Sequence, residues 1–260
     1  MPEFKSVWSY NEFARRVTRE RRYIRQADDD EFLNTVLETS KDRRHCIKKG
    51  HIFWRAQLGH DWRAEYQDDQ NMGDVPCPHS KDRMKPFKHR AVEGRINPKG
   101  ISCLYLATER DTALSEVRPW IGSLISVGQF KTLMDLVIID CSRRHAESFL
   151  DHLYFERDPT PADKEAAVWK WIDSAFAAPV DLSNEAADYV PTQIIAELFR
   201  NNGCDGIAYK SAFGKNGYNV ALFDIDAAKL INCFLYEAKT IQINYDESAN
   251  PYFVKCEDKD

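Results

Sequence analysis

The chain has 260 residues, 43% hydrophobic and 30% charged, so it can bury one large core or a core with a small appendage. Its formal net charge is -5, and without an overall positive field we expect no nucleic-acid partner. No apolar run approaches the ~20 residues of a membrane span, and the N-terminus lacks the apolar region of a signal peptide. We therefore expect a cytoplasmic protein that does not contact a membrane.

Seven cysteines are scattered along the chain without C-x-x-C pairs, a pattern typical of reduced thiols in a cytosolic protein. Cys103 and Cys141, like Cys233, lie inside apolar runs, and we expect them to be small core residues. The nearest approach to a metal motif is Cys77 with His79 and His89. Spacing this loose is typical of a polar loop, so we expect no metal site.

Residues 1–48 are predicted to form a helical extension packed on a catalytic domain of residues 49–260. Two amphipathic helices that separate near Gln26–Asp30 are indicated by the spacing of apolar side chains, namely Phe13, Val17, Tyr23, Phe32, Val36 and Leu37. A surface brace is one role for these helices, and a partner-binding arm is the alternative.

From His51 onward the pattern changes to short strand-like runs interrupted by helices. The runs are residues 51–57, 101–108, 124–131, 136–142, 205–211, 219–224 and 239–245. Because strands and helices do not alternate regularly, we predict an α+β fold with a mixed, curved β-sheet. Residues 72–91 are rich in Pro, Lys and His and predict a mobile loop able to cover a cleft.

Three helices are predicted from capping residues and from the spacing of apolar side chains. Thr160 and Pro161 predict the start of a helix that places five apolar side chains on one face, namely Val168, Trp171, Ile172, Ala175 and Phe176. A second helix after Pro191 is predicted to end at Gly203 and to bury Ile194, Ile195, Leu198 and Phe199.

The third helix begins at Asp111 as the predicted N-cap, and it aligns Glu116 with Ala113, Val117 and Trp120. A carboxylate on an apolar stripe must be paired or functionally poised, because an unpaired buried polar group is costly. The residues alone leave two interpretations of Glu116 open: a structural ion pair with an arginine, or a functional acid.

Two stretches of the chain resemble the RES domain family. Residues 94–117 contain R-x-N-P-x-G, L-Y-L-A and T-A-L-x-E-V, and residues 189–224 contain Q-x-I-A-E, G-x-D-G-I-x-Y-x-S and N-V-x-L-F. The five motifs occur in the family's order within about residues 50–225. The resemblance implies a fold like that of ADP-ribosyltransferases of the diphtheria-toxin type and an activity that consumes NAD as substrate, without a further cofactor. It also implies a toxin of a bacterial toxin-antitoxin pair that is neutralised by a partner protein.

Carried over to this sequence, the resemblance places catalytic residues at Arg95, Tyr105, Glu116 and Ser211, with Arg55 as a further substrate-binding residue. Cleavage of the nicotinamide-ribose bond develops positive charge on the ribose, which Glu116 would stabilise. A guanidinium at Arg95 would bind the diphosphate. Tyr105 would stack on nicotinamide or contact the ribose, and Ser211 would bind the ribose or carboxamide.

Each residue also has a structural interpretation. Tyr105 is a candidate core aromatic, Ser211 a candidate turn residue, and Arg55 beside Trp54 a candidate surface cation-π pair. The absence of G-x-G-x-x-G and G-x-S-x-G from the sequence disfavours a Rossmann dehydrogenase and a serine hydrolase.

The leading hypothesis is therefore NAD cleavage with release of nicotinamide. ADP-ribosyl transfer to protein or phosphate is an alternative within the same fold, and a catalytically silent nucleotide-binding module is an alternative from another class. Candidate protein partners are an inhibitor of the antitoxin type and a second copy in a homodimer.

Overall fold

A computed structural model of the chain describes residues 2–88, 90–143, 158–178, 186–213 and 217–242. These residues contain five α-helices: α1 Ser9–Arg19, α2 Ala27–Ser40, α3 Arg110–Glu116, α4 Pro161–Ala177 and α5 Val190–Asn201. They also contain ten strands: β1 Arg44–Ile47, β2 Ile52–Leu58, β3 Asp61–Gln67, β4 Gln70–Cys77, β5 Leu104–Ala107, β6 Leu124–Thr132, β7 Leu136–Asp140, β8 Gly206–Lys210, β9 Tyr218–Leu222 and β10 Ala228–Glu237.

Eight strands form one mixed sheet in the order β1-β7-β8-β9-β5-β2-β6-β10. Neighbouring strands are antiparallel except β7 and β8, which are parallel. A single residue pair, Trp54 with Ala107, joins β2 to β5, so the sheet nearly divides at its middle. The predicted α+β architecture on a mixed sheet is confirmed.

Hydrophobic residues cover both faces of this sheet. Four helices, α1, α2, α4 and α5, contribute to one cluster with Ile139 and Ile207 of the sheet. A second cluster on the opposite face joins strands from both halves of the sheet and includes Phe53, Leu104 and Phe130. Within the described residues, no helix is long and apolar enough to cross a membrane.

The two predicted N-terminal helices are confirmed as α1 and α2, but they separate at residues 20–26, before the predicted break, and Tyr23 lies outside both helices. Phe13 and Val36 are fully buried, and they belong to the same cluster as the side chains of α4 and α5. Arg16 Nε donates to Asp29 Oδ1 at 2.6 Å and links the two helices. The N-terminal helices therefore share one core with the rest of the protein, while the domain boundary at residue 48 stays a prediction.

The helices predicted from capping signals are also confirmed. Thr160 caps α4 and forms a capping box with Asp163, and α5 is followed by Gly203 at φ 74°, the left-handed conformation that favours glycine. The predicted buried face of α4 needs one correction. Trp169 is fully buried because it packs on Phe199 of α5. Trp171, which was predicted to be on the buried face, is only partly buried.

The prediction of a loop over residues 72–91 is wrong for its first part. Met72–Cys77 lie in β4, which pairs with β3 in a separate hairpin. Asp68 and Asp69 have φ values of 49° and 63°, as a type I′ turn requires. Aspartate tolerates this conformation better than most residues. Asp-Asp is nevertheless a weaker sequence marker of a hairpin than Asn-Gly, so the sequence did not reveal this turn.

Two strands of the large sheet were not predicted. In β1 the residues Arg44, His45 and Cys46 are exposed, so no apolar alternation marks the strand. In β10 a register shift between Leu230 and Asn232 interrupts the alternation that identifies a strand. The predicted strand at residues 239–245 is wrong for residues 239–242, and its remainder lies outside the described residues.

Substitution at Phe13 tests whether the N-terminal helices stabilise the whole protein. Phe13→Ala removes a fully buried ring and should lower the free energy of unfolding by about 3–5 kcal/mol, measured by urea denaturation. Tyr23→Ala is the control because Tyr23 is 91% exposed, and its effect should stay within about 0.5 kcal/mol. Equal effects of the two substitutions would contradict a shared core.

Candidate active site

A cavity of about 450 Å³ lies where β2 and β5 separate. Its walls come from β2, β5, α3, β8 and β9, and they include residues from both sequence stretches identified by their motifs. The lining residues are Trp54, Arg55, Ala56, Gln57, Leu58, Tyr105, Leu106, Ala107, Ala113, Glu116, Val117, Tyr209 and Asn219. The volume is typical of a small-molecule site.

Glu116 is the last residue of α3, and hydrogen bonds fix one of its carboxylate oxygens. Its Oε1 lies 2.7 Å from Ser211 Oγ and accepts from Asn219 Nδ2 at 2.6 Å. Its Oε2 has no hydrogen-bond partner among the described residues. Both donors are neutral, so the contacts of Glu116 differ from those of the structural ion pair considered above.

Two details of α3 differ from the prediction. The N-cap is Glu109, and Asp111 lies within the first turn beside Arg110, so the helix begins before the predicted cap. Trp120 lies beyond the end of the helix and is 71% exposed. The predicted apolar stripe therefore ends at Val117, because the helix does not continue past Glu116.

Ser211 directly follows β8 and combines turn geometry with a contact to Glu116. Its Oγ accepts from the Phe213 N-H at 3.0 Å and also lies 2.9 Å from the Phe213 carbonyl oxygen. A hydroxyl has one proton to donate, and the carboxylate is the stronger acceptor. The turn and site interpretations of Ser211 are therefore compatible.

Tyr105 on β5 has its hydroxyl engaged within the protein. The hydroxyl donates to Asn97 Oδ1 at 2.7 Å and accepts from the Ile96 N-H at 3.2 Å. Burial raises the pKa of Tyr105 above its ordinary value. The hydroxyl thus fixes the loop that carries Arg95, and Tyr105 is also one of the residues that line the cavity.

Arg95 lies beside this cavity and outside the described residues that line it. It donates to the Ala175 carbonyl at 3.0 Å, and its guanidinium carbon lies 5.2 Å from the centre of the Tyr189 ring. Gln193 of α5 holds the same loop by donating to the carbonyls of Gly94 and Asn97. The structure does not place Arg95 in contact with Glu116.

Arg55 is the one arginine among the described residues that line the cavity. Its Nη1 donates to the Tyr105 carbonyl at 2.9 Å and its Nε donates to the Met84 carbonyl at 3.1 Å. Burial lowers the pKa of Arg55 to about 10, which still leaves it charged at neutral pH. These bonds make a surface cation-π pair with Trp54 the wrong interpretation of Arg55.

Sequence reasoning did not single out four residues that shape the site. Asn219 contacts Glu116, Tyr209 lines the cavity, and Asn97 and Gln193 hold the Arg95 loop. Each of them is a fixed letter of a motif already quoted, in N-V-x-L-F, G-x-D-G-I-x-Y-x-S, R-x-N-P-x-G and Q-x-I-A-E. The motifs therefore contained these four residues, but the spacing of the motifs could not show which side chains they contact.

The cysteines predicted to be core residues, and Cys77 and His79 of the weak metal motif, are not among the described residues that line this cavity. Cys103 and Cys141 are buried and Cys233 is half-buried; burial raises the pKa of Cys103 to about 11. His79 Nδ1 lies 3.0 Å from Asp61 Oδ1, while His89 lies outside the described residues. In the part of the chain that the structure describes, no three His, Cys, Asp or Glu side chains form a metal-binding group.

Substitution at Gly217 tests how closely α3 must approach the β8–β9 connection. A methyl group at this position would lie 2.7 Å from Thr112 Cβ and still closer to the Thr112 hydroxyl. Gly217→Ala should therefore force α3 away from Ser211 and lower the free energy of unfolding by about 1–3 kcal/mol, measured by urea denaturation. Unchanged stability would show that this contact is loose.

Comparison with known proteins identifies the family. The RES domain model matches residues 53–242, and no curated protein matches the chain. One chain in the crystal structure of the M.tuberculosis MbcT-MbcA toxin-antitoxin complex is 13% identical, with a TM-score of 0.41, over 78% of this chain and 92% of that chain. The family match spans well over half of the sequence and includes every described residue that lines the cavity, so this protein belongs to the RES domain family.

Proposed function

We propose that the protein is an enzyme that consumes NAD by cleaving the bond between nicotinamide and ribose. The observation that carries this proposal is the carboxylate of Glu116, which Ser211 and Asn219 hold through a single oxygen at the wall of the cavity. Membership of the RES domain family supports NAD as the substrate. NAD is then consumed as a reactant, and no further cofactor or metal is invoked.

The charges of the cavity suit a ligand of this kind. NAD carries a cationic nicotinamide ring and an anionic diphosphate, and the described lining of the cavity contains one carboxylate, Glu116, and one guanidinium, Arg55. An arginine held by two carbonyl bonds keeps its remaining N-H groups in a fixed orientation, which suits recognition of phosphate oxygens. Arg55 would contact the diphosphate, and Glu116 would lie on the ribose side.

Glu116 would act on the charge that develops during cleavage. Nicotinamide leaves as a neutral molecule, so its departure needs no proton donor, and the barrier arises mainly from the oxocarbenium-like ribose. The oxygen of Glu116 that has no described partner is free to face this charge, while the other oxygen is held in place. A carboxylate fixed before the reaction loses little energy to reorganisation in the transition state.

Tyr105 and Ser211 have more specific parts in this proposal than the sequence indicated. The Tyr105 hydroxyl is bonded to Asn97, so its proposed contact with nicotinamide or ribose is through the face of the ring. Ser211 is proposed to orient Glu116 in addition to binding the ribose or carboxamide. Arg95 remains a candidate for the far end of the dinucleotide, because it lies outside the wall that holds Glu116.

Water is the proposed acceptor of the ADP-ribosyl group, and product analysis after incubation with NAD tests this choice. Nicotinamide with ADP-ribose is the expected result. A phosphorylated ADP-ribose or a modified protein would identify phosphate or protein as the acceptor instead. Binding of NAD without any release of nicotinamide would support the silent binding module and contradict the proposed enzyme.

An enzyme that degrades NAD would harm the cell that makes it, so we also propose control by a protein inhibitor of the antitoxin type. The protein would act in the cytoplasm, where NAD is available, with a homodimer as a further assembly. Expression in growing cells should lower cellular NAD and stop growth. Normal growth with unchanged NAD, despite accumulation of folded protein, would contradict the toxin role.

Replacement of Glu116 by glutamine tests the catalytic assignment. Glu116→Gln keeps the size of the side chain but removes the charge that stabilises the ribose, so turnover should fall about 100-fold with NAD affinity within a few-fold. Nicotinamide release and calorimetry measure the two quantities. Glu109→Gln, at an exposed glutamate before the same helix, is the control and should behave as wild type. Turnover near the wild-type rate in folded Glu116→Gln would remove Glu116 from the mechanism.

The two arginines are distinguished by parallel alanine variants. Arg55→Ala should weaken NAD binding about tenfold or more, because charge-assisted bonds to phosphate are strong, and Arg95→Ala should weaken it less. Calorimetry on variants shown to be folded by circular dichroism provides the comparison. Arg63→Ala, on the exposed face of the β3–β4 hairpin, should retain wild-type affinity. A larger effect at Arg95 would reverse the assignment of the diphosphate contact.

A further inference from the structure

Tyr209 is a second tyrosine in the cavity wall, and its surroundings differ from those of Tyr105. It lies on β8, two residues before Ser211, and the residue is only 7% exposed. It lines the same cavity as Glu116 and Arg55. Its ring lies 5.9 Å from the ring of Phe176 on α4, so packing fixes its position.

The hydroxyl of Tyr209 makes no hydrogen bond within the described residues, although the residue is almost fully buried. The hydroxyl oxygen is not among the fully buried side-chain atoms that lack a partner, so it reaches the surface of the cavity. The Tyr105 hydroxyl, in contrast, has both a donor and an acceptor. A phenol that lines a cavity and lacks a protein partner is suited to a partner supplied by a ligand.

The protonation state of the Tyr209 hydroxyl determines whether it can donate a hydrogen bond. Burial raises the pKa of Tyr209 well above its ordinary value, and the nearby Tyr105 and Glu116 raise it further, against an opposing effect of Arg95. The phenol is therefore protonated at neutral pH and available as a hydrogen-bond donor. A ligand oxygen beside it would complete its hydrogen bonding.

We propose that Tyr209 is a substrate-contacting residue whose hydroxyl donates a hydrogen bond to an oxygen of the dinucleotide in the cavity. The identity of the ligand rests on the proposed function, whereas the unpartnered hydroxyl is a property of the fold. The proposal assigns to Tyr209 the polar contact that the sequence suggested for Tyr105. The Tyr105 hydroxyl is left with a structural role in holding the Arg95 loop.

Two matched substitutions separate these roles, because each removes a single hydroxyl and keeps the ring. Tyr209→Phe should weaken NAD binding or lower kcat/KM about tenfold, the usual effect of one lost hydrogen bond, with a melting temperature equal to or above that of wild type. Tyr105→Phe should lower the melting temperature by a few degrees, because Asn97 Oδ1 loses its donor and the Ile96 N-H loses its acceptor. Calorimetry with NAD, nicotinamide release and thermal unfolding provide the measurements.

The wild-type protein separates failure of this inference from failure of the proposed function. If wild type binds and cleaves NAD while Tyr209→Phe matches it in affinity and kcat/KM, the Tyr209 contact is wrong and the proposed function stands. If wild type neither binds nor cleaves NAD, the proposed ligand is wrong, and so is the contact proposed for it. A Tyr209→Phe protein with a clearly lower melting temperature would show that the hydroxyl has a structural partner, which also overturns the inference.

Discussion

The site depends on the opening of a β-sheet between two of its inner strands. β2 and β5 share a single residue pair, and a sheet that opens in this way leaves backbone groups without their usual partners. Arg55 compensates on one side of the opening by donating to the Tyr105 carbonyl. The side chain that accompanies the opening of the sheet by bonding to the backbone of β5 also places a positive charge in the cavity wall, where diphosphate binding is proposed.

Three elements that meet at this opening position Glu116. The carboxylate lies at the end of α3, and its two partners come from the ends of β8 and β9. These elements approach closely only because Gly217 leaves room for Thr112. The orientation of one carboxylate oxygen is therefore set by contacts between residues about one hundred positions apart in the sequence, and short-range patterns cannot reveal such contacts.

The sequence predicted the parts of the fold whose signals are local. Capping at Thr160, the glycine after α5 and the apolar spacing of α1 and α2 each correspond to an element in the structure. β1 and β10 were not predicted because an exposed edge strand and a bulged strand lack regular alternation. The motifs led to Glu116, Tyr105 and Ser211 in one site, but their spacing alone could not show that Arg55, rather than Arg95, lines the cavity.

The two tyrosines of the cavity show why residue type is a poor guide to role. Both residues line the cavity, and both hydroxyls stay protonated because burial raises their pKa values. They differ in what surrounds the oxygen: Tyr105 has two partners from the Arg95 loop, and Tyr209 has none among the described residues. A hydroxyl that already has protein partners gains little from a ligand, whereas one that faces the cavity without a protein partner can donate to a ligand oxygen. The hydrogen-bond partners therefore separate the two tyrosines, and they support the proposal that Tyr209, rather than Tyr105, offers its hydroxyl to a ligand.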